Sequence, residues 1–410
     1  MRTYMDYVLR CFYESTGWNE DNIYPNITLT SQSLLDFKVP NGFGLNLSSQ
    51  SSPNSASTYN LTNLGFVSGS VAYLYSSKPL CNIQSTKSMD LKDVVTGYKL
   101  LTPLRETESR LYWNQWHGAA RNQKRDTLYY GRMYLPGRGL EAMLVRRLSP
   151  TTQLLITCVS DSHLKNGGTL TMHYQRDVGQ WCNELIYSTN EALLGVRGMF
   201  NFGYHRKLRE YYNASRLSIG GELYYGVLNK SPGLSIAARY VANSAYTGTP
   251  LTLTLTCNPL VGHLSTAYSL MASNSTQLSS RFDFNVYSYM SDLSIGCEIW
   301  KNKYTVGSQS GPSDTAPEIV DIKSPEFAVK RESRLSSRQS SSFTMSNGTC
   351  VPEEEFTNVL KASTSFGSRN VKLLWEGRYK ELLLSSGVMV NLVDGTPVIS
   401  TIGVEVQYSC

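Results

Sequence analysis

Charge is scarce in this chain of 410 residues, and long apolar runs are missing altogether. Charged residues make up 17% of the chain, against roughly 25% in soluble globular domains. No stretch of about twenty continuous apolar residues occurs, which excludes a transmembrane helix. The eight cysteines include no C-x-x-C pair and no repeated spacing, which argues against a disulfide or zinc framework.

Uncharged polar and aromatic residues fill the chain instead. It contains 27 tyrosines and many Ser, Thr, Asn and Gly residues, while its hydrophobic share is 41%. This balance suits a wall with one apolar face and one uncharged polar face. The net charge is only +6, and no Lys/Arg run alternates with aromatic residues, so we expect no nucleic acid partner.

Motifs for catalysis and for metal binding are absent as well. The five histidines show no H-E-x-x-H or H-x-H spacing, and the sequence has no G-x-S-x-G elbow and no phosphate loop. Glu222 and Glu405 could pair as acid and base, but solvated wall residues are the favoured interpretation. We therefore predict a protein that is not an enzyme and that holds no metal or cofactor.

The first residues, Met1 to Tyr7, do not have the form of a signal peptide. They contain no apolar core of about ten residues followed by a small-residue cleavage site, so we expect no secretory route. The N-x-S/T sequons, such as Asn213-Ala214-Ser215, favour the alternative of a soluble, secreted all-β binding protein. Several such triplets are expected by chance in a chain this rich in Asn, Ser and Thr.

The segment between Arg239 and Arg281 is the most informative, because it contains no Asp, Glu, Lys or Arg. Leu251 to Cys257 alternates apolar and polar residues with a period of two, turn residues follow at 258–262, and Leu264 to Leu270 resumes the alternation. This pattern predicts a β-hairpin. A soluble sheet would carry Lys and Glu on its polar face, so the apolar face is suited to lipid.

The same alternation recurs along the chain, for example around Phe43 to Ser48 and Leu293 to Ile299. Between Leu34 and Tyr408 it yields roughly nineteen or twenty candidate strands, each close to the length of about 9 to 11 residues that crosses a bilayer at a tilt. Closure into a barrel would remove the unpaired edges that hydrocarbon cannot satisfy. We therefore predict an all-β fold, a single transmembrane β-barrel domain over residues 1–410.

Three segments interrupt the strand pattern. One, from about Ser77 to Arg125, has mixed charge and poor periodicity, which predicts a long loop. Residues 1–16 place Tyr4, Val8 and Phe12 on one face, which predicts an N-terminal helix that plugs the lumen or packs outside the barrel. Residues 306–356 are rich in Ser and Pro and carry separate basic and acidic clusters, so we predict a disordered rim loop there.

The C-terminal strand has the form of a sorting signal for mitochondrial outer-membrane barrels. Its pattern is polar, any, Gly, any, any, hydrophobic, any, hydrophobic, and it is carried by Thr401, Gly403, Val406 and Tyr408. An exposed final strand of this kind can be captured by a barrel-inserting machine through strand addition.

The chain resembles the fungal mitochondrial distribution and morphology protein 10 family over nearly its whole length. The resemblance rests on these blocks: Tyr4-Met5-Asp6 with Val8-Leu9-Arg10, Leu34-Leu35-Asp36-Phe37, Leu128 to Tyr134, Arg147-Leu148-Ser149-Pro150, Pro250 to Leu255, Phe282-Asp283-Phe284-Asn285 and Lys372 to Gly377. Residues 306–356 depart freely in length and composition.

The resemblance implies a porin-like barrel of nineteen strands in the mitochondrial outer membrane, similar to the anion channel and the import pore, with its N-terminal helix inside the lumen. It implies two memberships. One is the complex that tethers the endoplasmic reticulum to mitochondria and supports phospholipid exchange and mitochondrial shape. The other is the sorting and assembly machinery, including its barrel insertase, which matures newly inserted barrels. The expected partners are the subunits of both complexes and outer-membrane phospholipids.

Two aromatic pairs are the candidate partner contacts. Tyr73 and Tyr75 share one face of a strand and correspond to the family's contact with the sorting machinery, and we assign Phe282 and Phe284 to the tether complex. Aromatic residues at a barrel rim also serve as interfacial girdle residues, which is the alternative for both pairs. The alternative function is that of a metabolite channel of the outer membrane.

Overall fold

A computed structural model of the chain contains one closed sheet of 19 strands. It describes residues 1–80, 83, 85–101, 114–117, 120–123, 126–137, 139–162, 167–202, 215–243, 249–302, 345–346, 349–350, 356–393 and 396–410. No helix among these residues is long and apolar enough to cross a bilayer. The predicted all-β barrel fold is confirmed, and its strand count matches the nineteen that the family resemblance implies.

The elements follow one another along the chain with short intervening turns over most of its length. The helices are α1 (Tyr4–Thr16), a 3-10 helix (Tyr24–Ile27), α2 (Leu29–Leu35), α3 (Leu91–Val94) and a second 3-10 helix (Asn190–Ala192). The strands are β1 (Gly42–Ser52), β2 (Ser55–Asn63), β3 (Val67–Ser76), β4 (Asn114–His117), β5 (Ala120–Gln123), β6 (Thr127–Leu135), β7 (Leu140–Ser149), β8 (Thr152–Ser160), β9 (Gly168–Asp177), β10 (Trp181–Ser188), β11 (Leu193–Phe202), β12 (Arg216–Gly226), β13 (Ser231–Asn243), β14 (Pro250–Asn258), β15 (His263–Ser273), β16 (Thr276–Asn285), β17 (Ser291–Asn302), β18 (Met345–Ser346), β19 (Thr349–Cys350), β20 (Phe356–Ser365), β21 (Asn370–Tyr379), β22 (Leu382–Val393) and β23 (Thr396–Ser409).

The barrel closes at a seam between its first and last strands, β1 and β23. Sequential barrel strands pair antiparallel, but an odd number of strands brings the first and last together in the same direction, so β1 and β23 pair in parallel. The register runs from Gly42 opposite Gly403 to Ser48 opposite Ser409. Closure leaves no unpaired strand edge along the wall, as hydrocarbon requires.

Residues 302–355 form a separate compact unit from the barrel. The described part of this unit is the pairing of β18 with β19, which places Met345 opposite Cys350. Most of the rim loop predicted at 306–356 lies outside the described residues.

The two faces of the wall alternate as the sequence pattern predicts. In β14, Thr252 and Thr254 are buried inside the barrel, whereas Leu253 and Leu255 are 47% and 42% exposed on the outside. Leu253 lies opposite Tyr268 of β15, so apolar side chains adjoin across the strands. The hairpin predicted at residues 251–270 is confirmed.

Helix α1 packs against the inner face of the wall. Thr3 caps its N-terminus by accepting a hydrogen bond from the amide of Asp6, and Gly17 ends it in the left-handed conformation. Val8 and Phe12 are fully buried, in one apolar cluster with inward residues of the wall. These wall residues lie mainly on strands β2, β3, β6, β7, β20 and β22: Ala56, Ala72, Leu74, Leu128, Val145, Val359 and Leu383. The N-terminal helix therefore plugs the lumen.

Residues 18–41 continue along the inner wall, and wall glycines make room for them. A Cβ on Gly220 of β12 would lie 2.7 Å from the ring of Tyr24, and one on Gly296 of β17 would lie 2.8 Å from the carbonyl oxygen of Leu34. The Tyr24 hydroxyl also hydrogen-bonds to Ser235 of β13 at 2.5 Å. The segment is thus fitted to the wall along its length.

A second lumenal segment, residues 85–99, lies beside α1. Met89, Leu91 and Val94 belong to the same buried cluster as the helix, and the amide of Arg2 donates to the carbonyl of Val94 at 2.9 Å. Lys361 of β20 fixes this segment by donating to the carbonyl of Thr96 at 2.8 Å.

The Lys361 charge is itself compensated inside the barrel. Glu376 of β21 lies 3.0 Å from its ammonium group, and both side chains are almost fully buried. Glu376 also accepts a hydrogen bond from the amino group of Met1. An unpaired charge at this depth would cost several kcal/mol, so the paired charges hold the lumenal segments in one arrangement.

The two ends of the barrel differ. At one end, which we call the long-loop end, β3 is joined to β6 through residues 77–126. At the other, the short-turn end, lie the turns between β2 and β3, β14 and β15, and β16 and β17. The apolar cluster around α1 contacts strands close to the long-loop end, since Leu74, Leu128 and Leu383 lie within a few residues of it.

We predict that Gly403→Ala destabilises the barrel by about 1 to 3 kcal/mol, because the added methyl group overpacks the seam. Its Cβ would lie 2.5 Å from the carbonyl oxygen of Pro40 and 2.6 Å from that of Gly42. Thermal unfolding of protein refolded in detergent measures this effect without the cellular sorting step.

Gly131→Ala on β6 is the matched control, since a Cβ there meets no atom within 4 Å. The close approach at the seam would be contradicted if both variants unfolded at the temperature of the unsubstituted protein.

We also predict that the Cys11 thiol resists alkylation in the folded barrel. Burial raises the pKa of Cys11 to about 11, so little reactive thiolate is present near neutral pH. Maleimide labelling followed by peptide mass mapping should modify exposed Cys410 and spare Cys11 until denaturant is added. Equal labelling of both thiols in the folded protein would contradict the lumenal position of α1.

Candidate interaction surfaces

The first predicted pair, Tyr73 and Tyr75, lies on the outer face of β3. The two rings are 52% and 45% exposed, while Leu74 between them is fully buried inside the barrel. The register places Tyr73 between Ser57 of β2 and Gly131 of β6. Both neighbours are small, so no bulky side chain lies directly opposite Tyr73 on either strand.

Tyr75 extends this surface toward the long-loop end. It lies opposite Tyr129 of β6, whose ring is 52% exposed on the same face. The inward residues of this part of β3, Ala72 and Leu74, pack in the cluster around α1. The lumenal helix therefore supports the strand that presents the two tyrosines.

The second predicted pair, Phe282 and Phe284, lies on the outer face of β16. Phe282 is 45% exposed and adjoins Leu293 of β17, while Phe284 is half-buried and adjoins Leu264 of β15. The structure thus brings both phenylalanines to one apolar strip, close to the short-turn end.

An ion-pair network on the inner face holds this part of β16. Arg281 donates through Nε to Asp283 at 3.0 Å and through Nη2 to Asp36, which follows α2, at 3.1 Å. The same strand therefore carries charged residues inward and aromatic residues outward.

Two neighbouring turns extend the Phe282/Phe284 strip beyond the ends of the strands. We call the exposed residues of these turns the turn platform: Leu260, Val261, Tyr287, Tyr289 and Met290. The Tyr287 hydroxyl donates to the carbonyl of Pro259 at 2.9 Å, and its ring packs over Gly262. These contacts join the two turns. Tyr289 and Met290 are 80% and 74% exposed, so the platform offers an ordered apolar surface outside the strands.

The sequence analysis did not identify the turn platform. In the sequence, the platform is indicated by the turn at residues 286–290. This turn has two aromatic residues and no charge, although turns usually carry polar residues. The contact between this turn and residues 259–262 depends on strand pairing and is not visible in the sequence.

The two aromatic pairs are far apart on the barrel. Around its circumference, β3 and β16 are separated by seven strands on one side (β17, β20 to β23, β1 and β2) and by ten on the other (β6 to β15). Along its axis, Tyr73 and Tyr75 lie toward the long-loop end and Phe282 and Phe284 toward the short-turn end. The two surfaces therefore share neither a strand nor an end of the barrel.

The predicted sorting-signal residues divide between the two faces of β23. Gly403 faces the lumen, whereas Val406 and Tyr408 lie on the outer face opposite Leu45 and Leu47 of β1. Both edges of β23 are hydrogen-bonded, one to β22 and one to β1. In the closed barrel this strand therefore offers no free edge for strand addition.

Comparison with known proteins gives a match along the whole chain. The family model for mitochondrial distribution and morphology protein 10 matches residues 1–410. The chain belongs to the mitochondrial distribution and morphology protein 10 family. A family protein of Yarrowia lipolytica is 45% identical over 410 residues, and one of Sclerotinia sclerotiorum is 41% identical over 422 residues. Both matches cover 100% of each chain.

Other proteins of the mitochondrial distribution and morphology protein 10 family are longer. The protein of Clavispora lusitaniae is 39% identical over 469 residues, with both chains covered completely. Because this chain has 410 residues, that relative carries insertions.

Among the described residues, no group of three or more His, Cys, Asp or Glu side chains is arranged to hold a metal ion. Pairs of acidic and basic side chains on the inner wall form structural contacts instead. Glu184 of β10, for example, accepts from Arg197 at 3.2 Å and from Gln175 at 3.0 Å, and the same carboxylate contacts His173 at 2.8 Å. Glu222, which the sequence analysis considered as an acid or base, accepts from Arg197 at 3.0 Å.

Proposed function

We propose that this barrel is a non-enzymatic subunit of the mitochondrial outer membrane that serves two assemblies. One is the complex that tethers the endoplasmic reticulum to mitochondria and supports phospholipid exchange and mitochondrial morphology. The other is the sorting and assembly machinery that matures new barrels. The observation that carries this proposal is the separation of two outward aromatic surfaces on one barrel, which gives each partner its own contact.

The Tyr73/Tyr75 surface suits the sorting machinery. Exposed tyrosines that stand beside small residues can anchor in a partner's pocket, and such aromatic anchors dominate the energetics of interfaces. Interfacial girdle residues are also commonly tyrosines, so a girdle role would explain Tyr73 and Tyr75 equally well. The small neighbours on either side of Tyr73 favour an anchor, because no bulky side chain directly opposite competes with a partner's pocket for the ring.

The Phe282/Phe284 surface suits the tether complex. It continues into the turn platform, whose residues Tyr289 and Met290 lie beyond the ends of the strands. Phenylalanines within the wall could be explained by contact with lipid alone. An ordered apolar surface that extends past the strands supports contact with another protein.

The pairing of the terminal strand explains how an insertase could recognise the sorting signal only before the barrel closes. In the closed barrel β23 is paired on both edges, so capture by an insertase must precede closure with β1. Closure then hides the signal. The insertase would thus recognise β23 before the barrel closes, and β23 forms the seam with β1 afterwards.

The filled lumen favours a scaffold over the alternative of a metabolite channel. Helix α1 and residues 85–99 pack together near the long-loop end and bury apolar side chains against several strands. A conducting pore would need a continuous water-filled path past both segments. The proposed functional surfaces therefore lie on the outside of the barrel and at its rim.

We predict reciprocal losses of partners from two double variants. Tyr73→Ala with Tyr75→Ala should reduce recovery of the sorting machinery by about tenfold or more and spare the tether complex, because it removes two aromatic anchors. Phe282→Ala with Phe284→Ala should do the converse. Co-purification of each variant with both sets of partners after gentle detergent solubilisation measures this.

Leu223→Ala with Tyr225→Ala is the matched control. These side chains are 54% and 46% exposed on the outer face of β12, away from both surfaces. The control should retain both assemblies. Loss of both assemblies from all three variants would contradict the model of two separate surfaces and indicate misfolding.

A further inference from the structure

Arg239 is one of the arginines that line the lumen. It lies on the inner face of β13, and its side chain is fully buried. Its Nη1 donates to the carbonyl of Asn26 at 3.1 Å. Its Nε and Nη2 have no hydrogen-bond partner among the described residues, although buried donors are nearly always paired.

The two unpartnered nitrogens form one edge of the guanidinium group. The hydrogens on Nε and Nη2 point in parallel, which is the arrangement that binds two oxygens of a carboxylate or phosphate. In Arg281 this edge is occupied: Nε donates to Asp283 at 3.0 Å and Nη2 to Asp36 at 3.1 Å. No such acceptor for Arg239 lies among the residues that the structure describes.

A second cation lies beside Arg239. Ser218 of β12 is directly opposite Arg239, and Arg216 is two residues before Ser218 on the same inner face. The Nε atom of Arg216 also has no hydrogen-bond partner within the part of the chain that the structure describes. The site therefore presents donors from two guanidinium groups on neighbouring strands.

The charges around these arginines do not balance. Among the described residues, Asp21 is the carboxylate that acts on both Arg216 and Arg239. Asp21 is in contact with Lys99, so its negative charge is already shared with another cation. Counting only described residues, two positive charges therefore remain in a region where an uncompensated charge is strongly unfavourable.

We propose that Arg239 and Arg216 form a binding site in the lumen for a phosphate-class dianion. Two guanidinium groups match the double negative charge, and the unpartnered, buried Nε/Nη2 edge of Arg239 matches two oxygens of a tetrahedral anion. Chloride has no paired oxygens, and a monocarboxylate would balance only one of the two charges. Inorganic phosphate and the phosphomonoester headgroup of a lipid share the required chemistry.

Thermal unfolding of the purified full chain in detergent tests the site. Sodium phosphate should raise Tm in a saturable manner, whereas sodium chloride at equal ionic strength should not. The saturable rise should disappear in Arg239→Gln and in Arg216→Gln. Arg197→Gln is the matched control, because carboxylates already pair with Arg197, and this variant should keep the rise. Equal responses to phosphate and chloride would overturn the proposal.

Arg239→Lys is a second variant, included in case the Gln variants fail to fold. It keeps the positive charge but lacks the Nε/Nη2 edge. Equilibrium dialysis with radiolabelled phosphate should show binding at least about tenfold weaker than to the unsubstituted chain. Unchanged affinity would overturn the role of Arg239.

Competition against the bound label distinguishes the sources of the anion. Displacement by inorganic phosphate but not by dihexanoyl phosphatidic acid would assign the site to free phosphate, and displacement by both would assign it to a lipid headgroup. If neither displaced the label, specific binding would be disproved.

Discussion

Pairing of the first strand with the last is the interaction on which the rest of the structure depends. In hydrocarbon, each unpaired backbone amide or carbonyl costs several kcal/mol, so the wall cannot end in an open edge. With 19 strands the closure must be parallel, and the backbone at Gly42 and Gly403 approaches too closely for a side chain at position 403. The lumenal segment is tied to the same place, because Pro40 lies against Gly403. Closure of the seam therefore also fixes the position of the lumenal segment.

The lumen is stabilised differently from the outer wall. Outside, apolar side chains meet lipid and need no partners. Inside, buried charges are mostly compensated, as Lys361 is by Glu376 and Arg281 is by Asp36 and Asp283. This contrast makes the unpartnered Nε and Nη2 atoms of Arg239 informative. Packing of α1 on the inner face of β3 also supports the tyrosines on its outer face, so the lumenal helix and an interaction surface share one strand.

The sequence could predict the wall because its rule is local. In a strand such as β14, apolar and uncharged polar residues alternate, and each residue has a fixed face once the strand forms. Helix α1 was predictable for the same reason, from the one-sided spacing of Tyr4, Val8 and Phe12. The family resemblance, which the match over residues 1–410 confirms, implied the strand number.

Features created by tertiary approach could not be predicted in this way. A glycine such as Gly220 has no local signature that indicates a lumenal tyrosine above it, and the turn platform requires the contact between Tyr287 and Gly262. The Arg239 site depends on which carboxylates fail to reach it. The aromatic pairs were visible in the sequence, but their placement at opposite ends of the barrel follows only from the strand order. Their assignment to particular partners stays a proposal.

Single-channel recording in planar bilayers tests the central claim that the lumen is filled and that function lies on the outer surfaces. The intact purified chain should insert and show no large, steady open-channel current, because α1 and residues 85–99 occupy the lumen. A large, steady conductance from the intact chain would contradict this account and favour a metabolite channel.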